Sequence, residues 1–214
     1  MKDFFTKLLS VVLGIAITFS VQGILDRAHN KKEVRSALEL VRTELTTNLE
    51  DIGVMTDYLE QERAAAQYFI DHRKTLARCP VDSVKHYSGL LFADASINTS
   101  SDALEMLKNS SLFQKIGDRQ LSMKIIRAYD TCQSISAVLN QHVTNRNNRF
   151  EASVNDKTAA LFASDGTISI KDYIKTAYGF YAIRWITSQA SIDQYADVSD
   201  IEDALAAINA YLKD

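Results

Sequence analysis

Apolar residues recur every three or four positions along most of this chain, which is the spacing of one face of an α-helix. The first such stripe follows a continuous apolar run, residues 8–25, and extends to about residue 73. The second begins at Gly117-Asp118 and continues to about residue 162. We predict one long helix from each stripe, and antiparallel packing of the two helices would bury both stripes.

Shorter helices are expected between and after the two long ones. Pro80 must end the first helical segment, because proline lacks an amide hydrogen and disfavours the helical conformation in the residue before it. Strictly alternating apolar and polar residues do not extend over more than a few positions, so the predicted fold class is an all-α bundle. The shorter helices are predicted at residues 82–92, 102–108, 170–190 and 199–212, with capping pairs Asp102/Glu105, Ser169/Asp172 and Ser199/Glu202 and a turn at 164–166.

Residues 8–25 carry no charged side chain. At about 1.5 Å per residue this helix would reach about 27 Å, close to the roughly 30 Å hydrocarbon core of a bilayer. The run predicts a transmembrane helix that continues into the first long helix, which divides the chain into a membrane anchor (1–25) and a helical bundle domain (26–214). A cleaved signal peptide is the alternative, but Asp3 is a poor residue for a signal start and no turn-forming residue exposes a cleavage site.

The composition limits the classes of partner. Seven glycines and one proline are too few for a loop-rich all-β chain. The formal net charge of -3 comes from both signs spread along the chain, so we expect no nucleic-acid partner. Cys79 and Cys132 are too few for a disulfide framework and too far apart for a CxxC metal motif. We expect them to remain unbridged, because a bridge requires the segment between them to double back.

Sequence motifs for catalysis are absent. The chain contains no HExxH, GxSxG, GxxxxGK[ST] or GxGxxG segment and no paired ExxH motifs of a di-iron bundle. Asp82 and His86 lie one helical turn apart, but two ligands do not make a metal site. We therefore predict a protein that is not an enzyme, with no catalytic or metal-binding residues and no cofactor.

Three polar or aromatic groups are candidates for contact with a ligand or partner. Residues 145–149 form a basic cluster that would contact phosphates or lipid headgroups, or lie on a solvated helix face. Glu44 and Asn48, one turn apart, form either a buried polar contact or an exposed pair. An aromatic cluster near the C-terminus would line a ligand pocket or form the bundle core. The residues of this candidate ligand or partner surface are Tyr173, Tyr178, Tyr181, Arg184 and Trp185.

Two segments carry a resemblance to known proteins. They read LDRAHNKKEVRSALELVRTELTTNLEDI and SSDALEMLKNSSLFQKIGDRQLSMKIIRAYD, and the first contains Glu44 and Asn48 in an ELxxNL-type pattern. In order and spacing the chain resembles a widespread group of uncharacterised single-pass bacterial membrane proteins, with one N-terminal transmembrane helix and a helical domain. The resemblance implies the anchor and the fold, and it implies no activity.

The charges that flank the span give conflicting orientations. Lys2 and Lys7 mark the N-terminus as cytoplasmic, whereas the basic residues after the span would draw that side into the cytoplasm by the positive-inside rule. The resembling proteins often carry a strongly basic segment before the span. We therefore expect a bacterial inner-membrane protein whose helical domain lies in the periplasm.

The expected function is that of a membrane-anchored, non-catalytic helical module for interaction, scaffolding or sensing. Its partners would be the lipid bilayer and a protein partner or a second copy of itself, since a bundle with no output domain cannot signal alone. The alternative is a helical domain that binds a small ligand through the aromatic cluster between Tyr173 and Trp185.

Overall fold

A computed structural model describes residues 2–154, 169–189 and 196–213, with side chains from residue 29 onward. Every regular element in those ranges is helical, which confirms the all-α fold class. The elements are α1 (Lys2–Asp71), one 3-10 turn (Leu76–Arg78), α2 (Val81–Phe92), α3 (Asp102–Asn109), α4 (Leu112–Lys115), α5 (Arg119–Ser153), α6 (Ile170–Tyr173), α7 (Ala177–Ser188) and α8 (Ser199–Lys213).

The first predicted helix is present as α1, and its end at Asp71 agrees with the expected break before Pro80. Among the residues described with their side chains, none of the helices carries an apolar stretch of the length needed to cross a bilayer. The predicted span, residues 8–25, falls within α1, but its side chains lie outside the described set.

The single helix predicted for residues 170–190 is instead two helices. Thr176 separates α6 from α7, because its hydroxyl accepts a hydrogen bond from the Gly179 backbone N–H at 2.9 Å and so caps α7. Ser169, the predicted cap of α6, donates its hydroxyl proton to the Asp172 carboxylate at 2.9 Å and caps no backbone group. α5 ends at Ser153; its predicted extension to 162 and the turn at 164–166 lie outside the described residues.

The helices group into two compact units. The first unit contains Met1–Thr46, Ser100–Tyr129 and Glu202–Asp214. Its core confirms the predicted inward stripe of α1, because those side chains are almost fully buried, as are apolar residues of α3, α5 and α8 in the same unit. The core residues of the first unit include Val34, Leu38, Val41, Leu45, Leu104, Leu107, Leu121, Ile125, Ala204 and Ile208.

The second unit contains Thr47–Thr99 and Asp130–Ile201. Its core continues the stripes of α1 and α5 through Ile52, Leu59 and Leu139, all buried. One cluster joins the end of α1 to α2, α6 and α7. Its buried members are Ala65, Ala66, Phe69, Leu76, Val84, Leu91, Ile170, Tyr173, Ile174, Ile183 and Ile186.

In the first unit, the chain before α5 runs back along α1. Ser100 donates a hydrogen bond to Glu44 at 2.6 Å, and Lys115 donates to Asn30 at 2.8 Å. Tyr129 of α5 then donates to Glu44 at 2.6 Å. Between Lys115 and Tyr129 the chain therefore advances along α1 in the direction of α1 itself.

The second unit gives the same direction. Arg146 of α5 pairs with Glu62 of α1, and Phe150, one turn further along α5, packs against the cluster that contains Ala66 and Phe69. The predicted antiparallel packing is therefore wrong, because α5 runs parallel to α1 in each unit. The cause is the connection between the two helices: it returns beside α1, and a crossover of that length lets the next long helix repeat the direction of the first.

Candidate functional site

The aromatic cluster predicted as a ligand or partner surface is divided between the core and the surface of the second unit. Tyr173 is buried and shares a hydrogen bond with the Ser153 hydroxyl. Burial raises the pKa of Tyr173, although the Ser153 hydrogen bond lowers it. In contrast, Tyr178 is 59% exposed and Tyr181 is 67% exposed. Tyr173 therefore belongs to the core, and the other two tyrosines face the solvent.

Trp185 and Arg184 also have different surroundings. The Trp185 ring is half-buried and stacks on the His142 ring, with 5.2 Å between the ring centroids. The Arg149 guanidinium carbon lies 4.7 Å from the centroid of the same indole ring. Arg184 is exposed, and no side-chain contact is described for it. The structure thus brings Trp185 together with two residues of α5 that the sequence did not assign to this site.

A cleft of about 170 Å³ opens between α5 and α7 in the second unit. Tyr178 and Tyr181 lie on one side of the cleft and Arg149 lies on the other. Helical spacing places residues 149, 152 and 153 on one face of α5. In the sequence, the basic cluster at 145–149 was the feature that could have identified this arginine. The lining residues are Arg149, Ala152, Ser153, Tyr178, Tyr181 and Ala182.

The basic cluster at 145–149 also contributes an arginine to a buried ion pair. Arg146 is 2% exposed, and its guanidinium donates to the carboxylate of Glu62 at 2.6 Å. The same guanidinium donates to the Tyr58 hydroxyl at 3.1 Å and to the Ala93 backbone carbonyl at 3.1 Å. The solvated helix face expected for residues 145–149 is therefore wrong at Arg146. A charged side chain is buried here because several hydrogen bonds satisfy it.

One oxygen of Glu62 is buried without a described hydrogen bond. This atom, Oε2, lies 3.6 Å from Nε2 of His142, which likewise has no described hydrogen bond. Burial acts to lower the pKa of Arg146. The charge and hydrogen bond of Glu62 and the hydrogen bond of Tyr58 outweigh burial and raise the pKa above its ordinary value, so Arg146 remains charged. The arrangement connects α1, α5 and the segment after α2 in the second unit.

Glu44 occupies a second polar site, in the first unit. Its carboxylate accepts hydrogen bonds from the Ser100 hydroxyl, the Tyr129 hydroxyl and the Ala103 backbone N–H. Burial raises the pKa of Glu44, but these hydrogen bonds outweigh it and hold the pKa below the usual value. The expected cap of α3, the Asp102/Glu105 pair, is not used: Ser101 is the N-cap residue and makes no side-chain cap, and the Glu44 carboxylate binds the helix N-terminus instead.

An apolar groove of about 340 Å³ lies on the first unit between α1, α3 and α4. Leu40 is 51% exposed and Met106 is 43% exposed, although both are large apolar side chains. Lys32 and Glu33 lie along the α1 side of the groove. The remaining lining residues are His29, Ser36, Ala37 and Leu112.

The described residues contain no group of three or more His, Cys, Asp or Glu side chains arranged to hold a metal ion. Cys79 and Cys132 are not joined by a disulfide bond. No protein-family model, curated protein or solved structure matches this chain. The geometry of the described residues is therefore the basis for a functional assignment.

Proposed function

We propose that this chain is a non-catalytic helical interaction module, anchored in a bacterial inner membrane by residues 8–25 with its helical domain on the periplasmic side. Its first unit associates with a second copy of the chain through the groove that contains Leu40 and Met106. The observation that carries the proposal is this pair of exposed apolar side chains, which line one groove together with Ala37 and Leu112.

The spacing along α1 supports a helical occupant of the groove. His29, Glu33, Ser36 and Leu40 all line it, and they are separated by four, three and four positions. This is the repeat at which two helices contact each other along a coiled-coil seam. The small side chain of Ser36 leaves room for a second helix to approach.

The charges along the groove favour a second copy over an unrelated partner. Lys32 and Glu33 are neighbours on the same edge, so the edge carries both signs of charge. Glu33 lies 3.8 Å from Lys115 of its own chain, and in a two-fold pair with parallel α1 helices Lys32 of one copy can also face Glu33 of the other, which makes the surface self-complementary. Exposed ion pairs contribute little free energy, and their role here is to set register and orientation.

The proposed anchor supports the same pairing. Membrane spans hold all copies in one plane with their α1 helices pointing the same way, which is the orientation the charges require. Confinement also raises the effective concentration of one copy near another. A groove too small for a stable dimer in solution can therefore be sufficient in a bilayer.

Energy transfer between labelled copies tests this proposal. Full-length chains that carry either a donor or an acceptor dye are reconstituted in liposomes at a low protein-to-lipid ratio. We expect transfer above the level of randomly placed anchors, and we expect Leu40→Glu to reduce it to that level. The matched control is Val54→Glu, because Val54 is also on α1 and is 71% exposed but lies in the second unit. Random-level transfer in the unmodified chain, or equal loss in both variants, would overturn the proposal.

A further inference from the structure

We infer that the cleft between α5 and α7 is a binding site for a small aromatic carboxylate, in which Arg149 holds the carboxylate and Tyr178 and Tyr181 contact the ring. This inference concerns the second unit alone. It goes beyond the self-association proposed above and does not depend on it.

The Arg149 guanidinium is oriented to bind an anion, and it has no acidic partner among the described residues. Its guanidinium lies over the Trp185 ring, which restricts the plane of the group while its N–H donors, at the edges of that plane, stay available. Although the side chain is exposed, no hydrogen bond or ion pair to a described acceptor is present. A planar guanidinium whose donors have no acceptor among the described residues matches a carboxylate, which it can bind through two parallel hydrogen bonds.

The other side of the cleft suits an aromatic ring. Tyr178 and Tyr181 are three positions apart on α7, so their side chains project from the same side of the helix. Both rings are more than half exposed and therefore have unused apolar surface. Ala152 and Ala182 also line the cleft, and their short side chains leave space between the tyrosines and Arg149. Aromatic rings pair favourably edge to face or offset and stacked.

The volume and the charge limit the ligand further. The cleft measures about 170 Å³. An apolar cavity of about 150 Å³ binds benzene, whereas pockets for drug-sized ligands measure roughly 300 to 1,000 Å³. The cleft therefore has room for one ring. Arg149 is the one charged residue among its described lining residues, and the Ser153 hydroxyl is already occupied by the Phe150 carbonyl and by Tyr173. A single carboxylate is the anion that this lining satisfies.

Benzoate is the probe for this site. Full-length protein in detergent micelles is dialysed against radiolabelled benzoate, with protein-free micelles as the blank for partitioning. Trp185 is the only tryptophan in the chain, so its fluorescence gives a second reading at the Arg149 end of the cleft. We expect saturable binding and a saturable change in fluorescence. We expect unlabelled benzamide, which has the ring without the charge, and cyclohexanecarboxylate, which has the charge without the aromatic ring, to compete at least tenfold more weakly.

Substitutions assign the contacts. Arg149→Gln should weaken binding about 10- to 100-fold, because it removes charge-assisted hydrogen bonds. Arg149→Lys should recover only part of that loss, since an ammonium group lacks the planar pair of donors. Tyr178→Ala should weaken binding and remove the preference for benzoate over cyclohexanecarboxylate. Arg184→Gln is the matched control, because Arg184 is an exposed arginine on α7 with no part in the cleft.

Three results would overturn the inference: no saturable binding of benzoate, equal binding of benzoate and benzamide, or equal effects of Arg149→Gln and Arg184→Gln. The result is independent of the groove on the first unit. The Leu40→Glu variant should bind benzoate normally, and Arg149→Gln should leave energy transfer between copies unchanged. Failure of either proposal is therefore recognised separately.

Discussion

The carboxylate of Glu62 and the guanidinium of Arg146 lie 2.6 Å apart, and both side chains are buried. Each residue comes from a different long helix of the chain. Arg146 also binds the backbone carbonyl of Ala93, so the ion pair holds the extended segment after α2 against α5 in the second unit. A buried pair of this kind gives specific geometry, and it is costly when only one partner remains.

Removing one member of this pair should destabilise the second unit strongly. We expect Arg146→Met to lower the free energy of unfolding by about 3 to 5 kcal/mol, because it leaves the Glu62 carboxylate buried without its charge partner. The exposed pair of Lys175 and Asp172 is the control, and Lys175→Met should cost less than about 1 kcal/mol. Urea unfolding measures both.

The double variant Glu62→Leu with Arg146→Leu should cost less than Arg146→Met, because no unpaired charge remains. An equal or larger loss in the double variant would show that the pair stabilises the fold by its attraction, and that desolvation is not the dominant cost.

The N-terminal cap that Glu44 supplies to α3 should make stability depend on pH in the acid range. Burial raises the pKa of Glu44, but hydrogen bonds from Ser100, Tyr129 and the Ala103 backbone outweigh it, so the folded-state pKa lies below the ordinary value of 4.5. The folded state therefore releases its proton more readily than the unfolded state. The stabilisation is complete above about pH 5 and is lost as the pH falls through the lower, folded-state pKa.

We expect Glu44→Gln to cost about 0.5 to 2 kcal/mol near neutral pH, as loss of a helix cap does. Its unfolding free energy should also fall less steeply than that of the unmodified chain when the pH is lowered from about 5 to 3. Glu50, which is exposed on the same helix, provides the control in Glu50→Gln. Parallel pH curves for all three proteins would contradict the cap.

Two glycines in helices should respond in opposite ways to alanine. At Gly179 an added Cβ would overlap the Tyr173 carbonyl oxygen and lie 2.9 Å from the Thr176 hydroxyl oxygen, whereas at Gly89 it would meet no atom of the described residues within 4 Å. We expect Gly179→Ala to lower the unfolding free energy by about 1 to 3 kcal/mol through overpacking. Gly89→Ala should raise it by about 0.5 to 1 kcal/mol, because alanine loses less backbone entropy. Destabilisation by both variants to the same extent would contradict the tight turn between α6 and α7.

The periodicity of the sequence was sufficient for the local structure. Leu45 and Leu139 are buried as their stripes predicted, since a helix with one apolar face must turn that face inward. The direction of α5 was not available from the same signal, because a stripe can be buried by a parallel or an antiparallel neighbour. The path of the connecting chain decides the direction of α5. Contacts between residues that are distant in sequence fix this path, such as the hydrogen bond from the Tyr58 hydroxyl to the Leu90 carbonyl.

The candidate cleft was only partly predictable for a related reason. Tyr178 and Tyr181 were identified by composition, as aromatic residues on one short segment. Arg149 lies in a different helix, and its position over Trp185 depends on how α5 packs against α7. Arg146, three positions earlier, has the same chemistry but faces inward, and a local pattern of polar residues does not separate two such arginines.

The predicted anchor can be tested directly. If residues 8–25 are retained, the protein should remain in the membrane fraction after carbonate washing, and N-terminal sequencing should begin near Met1. Replacing Ile15 by Arg should reduce insertion, because a charge at the centre of a span costs about 2.5 to 3.5 kcal/mol on insertion scales. Glu39→Arg, on the exposed face of α1, is the control and should insert normally. A soluble product that begins near Ile24 would support a cleaved signal peptide.

The two cysteines report on both disulfide formation and membrane side. No disulfide bond joins Cys79 and Cys132; Cys79 is half-buried, and Cys132 is 1% exposed. We expect two thiols to react in the denatured protein without reductant, and Cys79 to react much faster than Cys132 in the folded protein, because reagent and base must reach the sulfur. A membrane-impermeant maleimide should label Cys79 in intact spheroplasts if the domain is periplasmic, and Cys79→Ser should remove that labelling. Labelling that requires lysis of the spheroplasts would place the domain in the cytoplasm, and thiols that react only after reduction would establish a bridge.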